Sequence, residues 1–402
     1  MNILQINESV NTGSSGRIAE EISNLLSEQM HNSIIAYGRS NNKSRSDLIK
    51  IGNTLNILSH VLNTRLFDRH GFGSVKSTER LVEKIGLFNP DLIHLHNLHG
   101  YYINIKVLFG FIKKNNIPII WSLHDCWSFT GHCSHFQFVN CYKWQTGCFE
   151  CPLKYGYPES WFIDNSKNNY QRKKELFTGV KKMILVSPSQ WLAGHLRKSF
   201  LSDYEIRVIN NGVDLDKFRP CSNVKVREKY CIGGKYIFGA ASRWTKRKGL
   251  KDFIELREIL DPCIDIVLAG LSAKQIKSLP TGIKAIPRTE NIDELAALYS
   301  GAEVFLNPTY VDNFPTVNLE ALACGTPVIT YNTGGSPESI DDLTGIVVDK
   351  GDIGGLKNAV MNVLNSNDKY TPDLCRKRAE EKFSAKERFT DYLNLYKELV
   401  EK

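Results

Sequence analysis

Residues 306–338 read LNPTYVDNFPTVNLEALACGTPVITYNTGGSPE. One acid, Asp312, stands eight residues before a second, Glu320. Between them Asn313-Phe314-Pro315-Thr316 is a turn that predicts a helix start. Gly325-Thr326-Pro327, a short apolar strand over 328–330 and the pair Gly334-Gly335 follow. A helix N-terminus offers free backbone N–H groups and a partial positive charge, which suits a phosphate. Carboxylates beside that anion site would repel phosphate, but a carboxylate accepts hydrogen bonds from two hydroxyls at once and so suits a polyol. Phosphate with hydroxyls on both sides is the chemistry of a nucleotide-sugar. The plain alternative is an ordinary surface turn and helix with Asp312 as its first acid; several independent elements coinciding weigh against it.

Outward from this stretch, apolar strand-like runs alternate with amphipathic helical stretches. Strands are expected over 2–6, 33–37, 91–95, 118–123 and 183–187, with helices such as 16–30 and 105–115 between them. A second cycle begins near Lys235, with strands over 236–240, 264–269, 282–286, 303–306, 328–330 and 345–348. Short buried strands separated by helices call for parallel sheets covered on both faces. The turn-rich Val208-Ile209-Asn210-Asn211-Gly212-Val213-Asp214 marks the junction. The reading is an α/β chain of two doubly wound parallel sheets in tandem, with ligand at the carboxyl ends of the strands. The expected domains are 1–208, with a Cys-rich insertion over 126–165, then 209–384, then a helix over 385–402. That last helix has Phe389, Tyr392, Leu393, Tyr396, Leu399 and Val400 at helical spacing.

The stretch around Asp312 and Glu320 resembles the signature of the retaining family 4 glycosyltransferases (glycosyl transferases group 1), whose fold is called GT-B. That signature is two Glu separated by seven residues, then Leu-Glu-Ala-(Met/Leu)-Ala-x-Gly-x-Pro-Val. Glu320 matches the second acid and residues 319–328 match throughout, while Asp312 is one methylene shorter than the family's first Glu. The resemblance implies two Rossmann-like domains facing across a cleft, with the terminal helix packing back toward the first. It also implies Asp312 on sugar hydroxyls, the backbone of Asn313, Phe314, Pro315 and Thr316 on phosphate, and Glu320 on the ribose. The Asp312 exchange bears on which sugar the donor carries.

Other segments agree with the family. Ala240-Ala241-Ser242-Arg243-Trp244-Thr245-Lys246-Arg247-Lys248-Gly249 follows the second cycle's first strand and resembles the family's basic element. The match carries Arg243 and Lys248 over as the pair that neutralises the donor diphosphate. Arg engages phosphate bidentately and Lys acts as a point charge on the departing group. For Lys246 and Arg247 a solvated basic loop is the favoured reading. In Thr12-Gly13-Ser14-Ser15-Gly16-Arg17, Gly13 and Gly16 let backbone approach a ligand closely, although a tight turn without ligand fits as well. In the family this loop lies near the donor phosphate and acceptor. His124-Asp125 closes the strand over 118–123, and a family His at this position contacts the donor sugar and is needed for activity. His94 and His96 share one strand face; polar contacts to the acceptor or packing under the cleft are favoured over metal ligation.

The ten cysteines carry a second pattern. Cys126, Cys133, Cys141, Cys148 and Cys151 cluster, and Cys148-Phe149-Glu150-Cys151 is a CxxC pair. Disulfides are disfavoured in a cytoplasmic chain, so metal or redox chemistry is read first. Cys133, Cys141, Cys148 and Cys151 would make a tetrahedral set around a structural zinc, contributing on the order of 10 kcal/mol at neutral pH. Plain reduced thiols and a redox pair are the alternatives. A similar insertion after His-Asp-x-Trp-x-Phe-Thr-Gly marks a subgroup of bacterial exopolysaccharide and O-antigen enzymes in the resembling family. Here that run is His124-Asp125-Cys126-Trp127-Ser128-Phe129-Thr130-Gly131. Cys221, Cys231, Cys263, Cys324 and Cys375 read as buried small hydrophobes.

Composition bounds the remaining classes. A chain of 402 residues, 42% apolar and 23% charged, has the balance of a globular protein with two or three domains. No apolar run approaches the roughly 18–20 residues that span a bilayer. Met1-Asn2-Ile3-Leu4-Gln5 runs directly into a strand, without the pattern of a signal peptide. A cytoplasmic location is expected. The net charge is +8, with Lys167, Arg172, Lys173, Lys174, Lys181, Lys182, Arg197 and Lys198 clustered among Tyr170, Phe177, Trp191 and Phe200. Basic and aromatic residues together suit an anionic membrane surface at the inner face of the cytoplasmic membrane, against the plain reading of a solvated face. No nucleic-acid motif accompanies them.

The expectation is a retaining glycosyltransferase with a nucleotide-sugar donor, a polyprenyl-diphosphate-linked saccharide acceptor and no metal required in catalysis, acting in O-antigen, lipopolysaccharide or capsule assembly. The departing phosphate would accept the acceptor proton. The alternatives are a nucleotide-sugar 2-epimerase of similar architecture and a catalytically silent nucleotide-sugar-binding protein.

Overall fold

The computed structural model describes residues 1–366 and 368–401. Contacts divide the chain into two compact units: Met1–Ile209 with the chain from Phe389 onward, and Asn210–Arg388.

The first unit is built on seven strands: β1 (Asn2–Asn7), β2 (Asn32–Tyr37), β3 (Asp47–Lys50), β4 (Leu92–Leu95), β5 (Ile119–Ser122), β6 (Met183–Ser187) and β7 (Glu205–Val208). Their order is β3-β2-β1-β4-β5-β6-β7, and every neighbouring pair is parallel. The strands β4, β5 and β6 are buried along their whole length, because crossover helices cover both faces of a parallel sheet. Helix α1 (Gly13–Glu28) follows β1. Helices α2 (Thr54–Phe67), α3 (Val75–Phe88) and α4 (Ile105–Asn115) come between β3 and β5, and α5 (Ser166–Phe177) precedes β6. Strand order reverses between β1 and β4, which opens a crevice at their carboxyl ends. Phe109 of α4, Trp121 of β5 and Phe177 of α5 pack with ring centroids 4.7 to 5.7 Å apart. Such aromatic pairs add about 0.5–1.5 kcal/mol each beyond their area burial.

The second unit holds β8 (Tyr236–Ala240), β9 (Asp265–Ala269), β10 (Ile283–Ile286), β11 (Val304–Asn307), β12 (Val328–Tyr331) and β13 (Gly345–Val348). They are ordered β10-β9-β8-β11-β12-β13, again all parallel. Here the order reverses between β8 and β11, and α6 (Thr316–Ala323) joins β11 to β12. The last helix, α7 (Ala385–Glu401), begins in the second unit and belongs to the first from Phe389. Its Tyr392, Leu393 and Tyr396 are buried, as the helical spacing predicted. The two doubly wound parallel sheets expected from the sequence are present.

Several sequence readings need correction. Strand β3 was not anticipated, because Asp47-Leu48-Ile49-Lys50 is a half-exposed edge strand with charged ends and no apolar run. Helix α1 starts at Gly13 and not at Gly16, since Thr12 takes the extended N-cap conformation and Gly13 has φ +66°. Of the basic cluster over 167–198, Lys173 does not reach the surface. It is buried, its Nζ donating to the Trp127 and Thr130 carbonyls at 2.7 and 3.0 Å and lying 3.5 Å from the Trp127 ring centroid. Arg172 lies over Phe72, and Tyr170 and Phe177 are core residues. Burial pushes the Lys173 ammonium down to about 7. Of the scattered cysteines only Cys324 and Cys375 are buried; Cys221, Cys231 and Cys263 are exposed. Among the described residues no helix is long and apolar enough to cross a membrane.

Candidate active site

Two residue groups form, one at each switch point. In the second unit the loop after β8 carries Arg243 and Lys248, and the loop after β11 carries Asp312. The reversal of strand order makes these loops neighbours. Lys248 Nζ donates to Asp312 Oδ2 at 2.5 Å, so the shorter acid still reaches the cation. The loops are also stitched through backbone, Tyr310 N donating to the Arg247 carbonyl at 2.8 Å. Gly334 holds the other side of Asp312. It has φ +58°, a Cβ there would overlap the Asp312 carbonyl oxygen, and Gly335 N donates to that same oxygen at 3.1 Å. Arg243 is exposed.

Asn313, Phe314 and Pro315 lead into α6, with Pro315 as an extended N-cap that offers no side-chain cap. Asn313 and Phe314 are buried, and the Phe314 carbonyl accepts from Asn211 Nδ2 at 2.9 Å. Thr316 is the first helical residue. Glu320 lies on the buried face of α6, where the Tyr299 hydroxyl donates to its Oε2 at 3.0 Å. Asp312 and Glu320 thus have different partners, a cation and a phenol. The sequence reading missed Tyr299; a Tyr on the helix before β11 carried no motif. Tyr310 donates to Asp252 at 3.1 Å, and Tyr331 donates to the same carboxylate at 2.7 Å. Burial raises Asp252 above the ordinary carboxylate value despite these bonds.

In the first unit Gly13 is exposed at the start of α1, where only Gly adopts its positive φ without strain. Gly16 is buried, and a Cβ there would meet Ser9 and the Asn11 backbone nitrogen at 3.1 to 3.3 Å. His124, following β5, has its Nε2 3.2 Å from His96 Nδ1 and its ring stacked on that of His96. His96 Nε2 meets Gln5 Oε1 at 3.0 Å, and Gln5 Nε2 donates to the Ala19 carbonyl at 2.9 Å. His94 lies between the Tyr396 hydroxyl at 2.6 Å and Ser122 Oγ at 2.8 Å. Both His94 and His96 are packed polar residues, as favoured. Burial pushes His94 and His96 well down and His124 to about 4, so all three are neutral near pH 7. Asp125 instead pairs with His99, Oδ2 to Nε2 at 2.7 Å. Burial would lower His99 and raise Asp125, but their mutual charge and hydrogen bond win: His99 is raised and Asp125 lies far below the carboxylate range.

Cys133 and Cys148 of the insertion lie close enough to Lys173 for their charges to act on it. Cys148 Sγ accepts from Gly131 N at 3.1 Å, and burial pushes its thiol up to about 11. The Cys133 thiol donates to Cys151, which pulls Cys151 down. Cys126 is a core residue and Cys141 is half-buried. Among the described residues no group of three or more His, Cys, Asp or Glu side chains could hold a metal ion, so the zinc expected on Cys133, Cys141, Cys148 and Cys151 finds no assembled ligand set.

With this geometry the chain can be compared with known proteins. The family profile for glycosyl transferases group 1 matches residues 225–382, and that for Glycosyltransferase Family 4 matches residues 15–217. The colanic acid biosynthesis glycosyl transferase WcaC of Escherichia coli K12 is 25% identical over 418 residues, covering 99% of this chain and 100% of that protein. Among solved structures, sucrose-phosphate synthase from Thermosynechococcus elongatus superposes with TM-score 0.72 at 17% identity, covering 99% of this chain and 98% of that one. Anabaena Alr3699/HepE in complex with UDP superposes with TM-score 0.71 at 15% identity, covering 99% and 100%. At those identities the structural likeness establishes the fold, GT-B. With profiles matching both halves, the chain belongs to Glycosyltransferase Family 4 and is a glycosyltransferase.

Proposed function

We propose that the protein moves a sugar from a nucleotide-diphosphate donor to a hydroxyl of a saccharide acceptor, with retained anomeric configuration, in the assembly of a bacterial surface polysaccharide. The observation that carries the reading is the Lys248–Asp312 bond at the β8/β11 switch point. It sets a cation and a hydroxyl-binding carboxylate side by side, as the junction of a sugar and its leaving phosphate requires. A carboxylate has about four lone-pair sites, so Asp312 can keep Lys248 and still accept sugar hydroxyls. Arg243 and Lys248 take up the negative charge that grows as the C1–O bond to phosphate breaks. The acceptor oxygen bonds to C1 from the same face, and its proton passes to the departing phosphate oxygen. The start of α6 supports the phosphate through backbone N–H groups. Glu320 serves the ribose, and His124 the donor sugar.

The colanic acid relative supports an exopolysaccharide context, and a UDP complex in a protein of the same fold supports a nucleotide donor. The acceptor is proposed to be a polyprenyl-diphosphate-linked saccharide, and catalysis to need no metal. The test is nucleoside-diphosphate release from UDP-, GDP- and ADP-sugars with and without saccharide acceptors. Glu320→Ala raises KM for the donor, whereas Lys248→Ala mainly lowers kcat. Near-normal kinetics in both variants would overturn the site. Products formed without acceptor would point to the epimerase.

A further inference from the structure

Helix α2 runs from Thr54 to Phe67 with no acidic residue and one cation, Arg65. Its Leu55, Leu58 and Leu62 fall on one face, and that face is turned to solvent: they are 73%, 57% and 53% exposed. A leucine at full burial is more stable by roughly 1.5–3 kcal/mol than one left in water, so three in a row on an uncovered face call for a partner. The stripe continues beyond the helix. Trp161 N donates to the Arg65 carbonyl at 2.8 Å, and the Arg65 guanidinium stands 5.2 Å from the Trp161 ring centroid. Trp161 and its neighbour Phe162 are 45% and 69% exposed, and Tyr155 nearby is 71% exposed. The apolar surface therefore spans α2 and the tip of the Cys-rich insertion.

Cations mark both ends of this surface. At the start of α2 a cavity of about 260 Å³ is walled by Lys50, Asn53, Asn56, Ser77, Arg80 and Lys84, and lacks an acidic lining residue. Glu79 and Glu83 occupy neighbouring positions of α3 but do not line it. At the far end stand Arg65, Arg69 and Lys154, Arg65 being paired with Glu159. Leucine and aromatic side chains between cationic ends match an anionic bilayer surface: acyl boundary for the stripe, headgroup phosphates for the ends. A protein partner would meet the same leucines but would need its own acids placed at both ends.

We propose that α2 and the 155–162 segment form a docking surface for anionic lipid, seating the first unit on the membrane. The inference goes beyond the proposed reaction.

The test is co-sedimentation of the full chain with vesicles of phosphatidylcholine alone and with phosphatidylglycerol added. Binding is expected only with the anionic lipid. Leu58→Gln/Leu62→Gln should reduce the partition coefficient at least about tenfold, because two inserted leucines are withdrawn. Arg80→Glu/Lys84→Glu should erase the preference for anionic lipid. Both variants alter exposed side chains, so an unchanged circular dichroism spectrum and thermal midpoint are expected. Transfer to a water-soluble acceptor should also be unchanged, which separates failure of this surface from failure of the proposed function. Wild-type binding absent, or equal in the leucine variant, overturns the proposal. So does a concentration-dependent dimer, seen by light scattering, that the leucine variant dissolves, since a second copy would then be the occupant.

Discussion

His96 Nδ1 and His124 Nε2 face each other at 3.2 Å, and the chain behind them decides which one carries the proton. The Ala19 carbonyl can only accept, so Gln5 turns its amide nitrogen toward it and its oxygen toward His96. His96 Nε2 must donate to that oxygen. A neutral imidazole carries one proton, so His96 Nδ1 accepts and His124 Nε2 donates to it. His124 is thereby held as the Nε2–H tautomer, and Nδ1 is its accepting nitrogen. Nitrogen-15 NMR of the imidazoles should report this tautomer for His124. In Gln5→Leu the oxygen that fixes His96 is gone, so His96 and His124 are no longer held to these tautomers. On the proposed contact of His124 with the donor sugar, turnover should fall about tenfold or more, with nucleotide affinity unchanged. A His124 found protonated at Nδ1 in the wild type would end the argument.

The Lys248–Asp312 pair separates catalysis from stability. Both side chains are partly exposed, and ion pairs of that kind contribute about 0–1 kcal/mol to folding. A positioned charge on a departing phosphate contributes far more to rate. Lys248→Ala should lower kcat on the order of 100-fold while leaving the thermal midpoint within a few degrees. Arg243→Ala should behave similarly, since Arg243 is exposed and supports no core. Steady-state kinetics beside thermal denaturation check both. A large stability loss with normal kcat would make the pair structural.

How much of this was legible depended on how local each signal is. The buried strands β4, β6, β8 and β12 announce themselves as short apolar runs, and Asn313–Thr316 announces the start of α6, because each needs only neighbours in sequence. The Lys248–Asp312 bond, between residues 64 apart in the chain, was not foreseen, because only the strand order brings their loops together. Lys173 was misread because a lysine's sequence context says nothing about the Trp127 and Thr130 carbonyls waiting for it. Tyr299 beneath Glu320, and Gln5 behind His96, depend on pairings 21 and 91 residues apart that no motif encodes. The exposed leucines of α2 were invisible for the opposite reason: an apolar helix stripe normally reads as core.

Gly334 offers a backbone test of the same site. Any side chain there meets two penalties, a positive φ and overlap with the Asp312 carbonyl oxygen. Gly334→Ala should cost about 1–3 kcal/mol in stability. The displaced carbonyl belongs to Asp312 itself, so donor KM should rise as well, beyond what Gly325→Ala produces at a positive-φ glycine against Pro372. Equal kinetic effects of the two substitutions would detach Gly334 from the site.

The buried Asp125–His99 pair gives stability a pH signature. Asp125 is held below its ordinary 3.8, so its contribution is present above that value and disappears as pH falls through the lower folded one. His99 is raised above its ordinary 6.5, so its contribution is full below 6.5 and fades as pH rises through the folded value. The pair therefore stabilises fully between 3.8 and 6.5. His94, His96 and His124, whose values burial lowers, act in the other sense and lose stability as pH falls below 6.5. A wild-type melting curve mixes the two effects, whereas the difference between wild type and Asp125→Asn cancels the His94 and His96 parts and keeps only the share of His124 that the Asp125 charge raises. Tyr157, which meets His99 Nδ1 at 3.0 Å, and His70 nearby are common to both proteins. That difference should reach about 3–5 kcal/mol on the acidic side of neutrality and shrink as pH climbs past the folded value of His99. Thermal denaturation of both proteins over the pH range measures it, and a difference that stays level through the alkaline side would mean that His99 carries no proton in the fold.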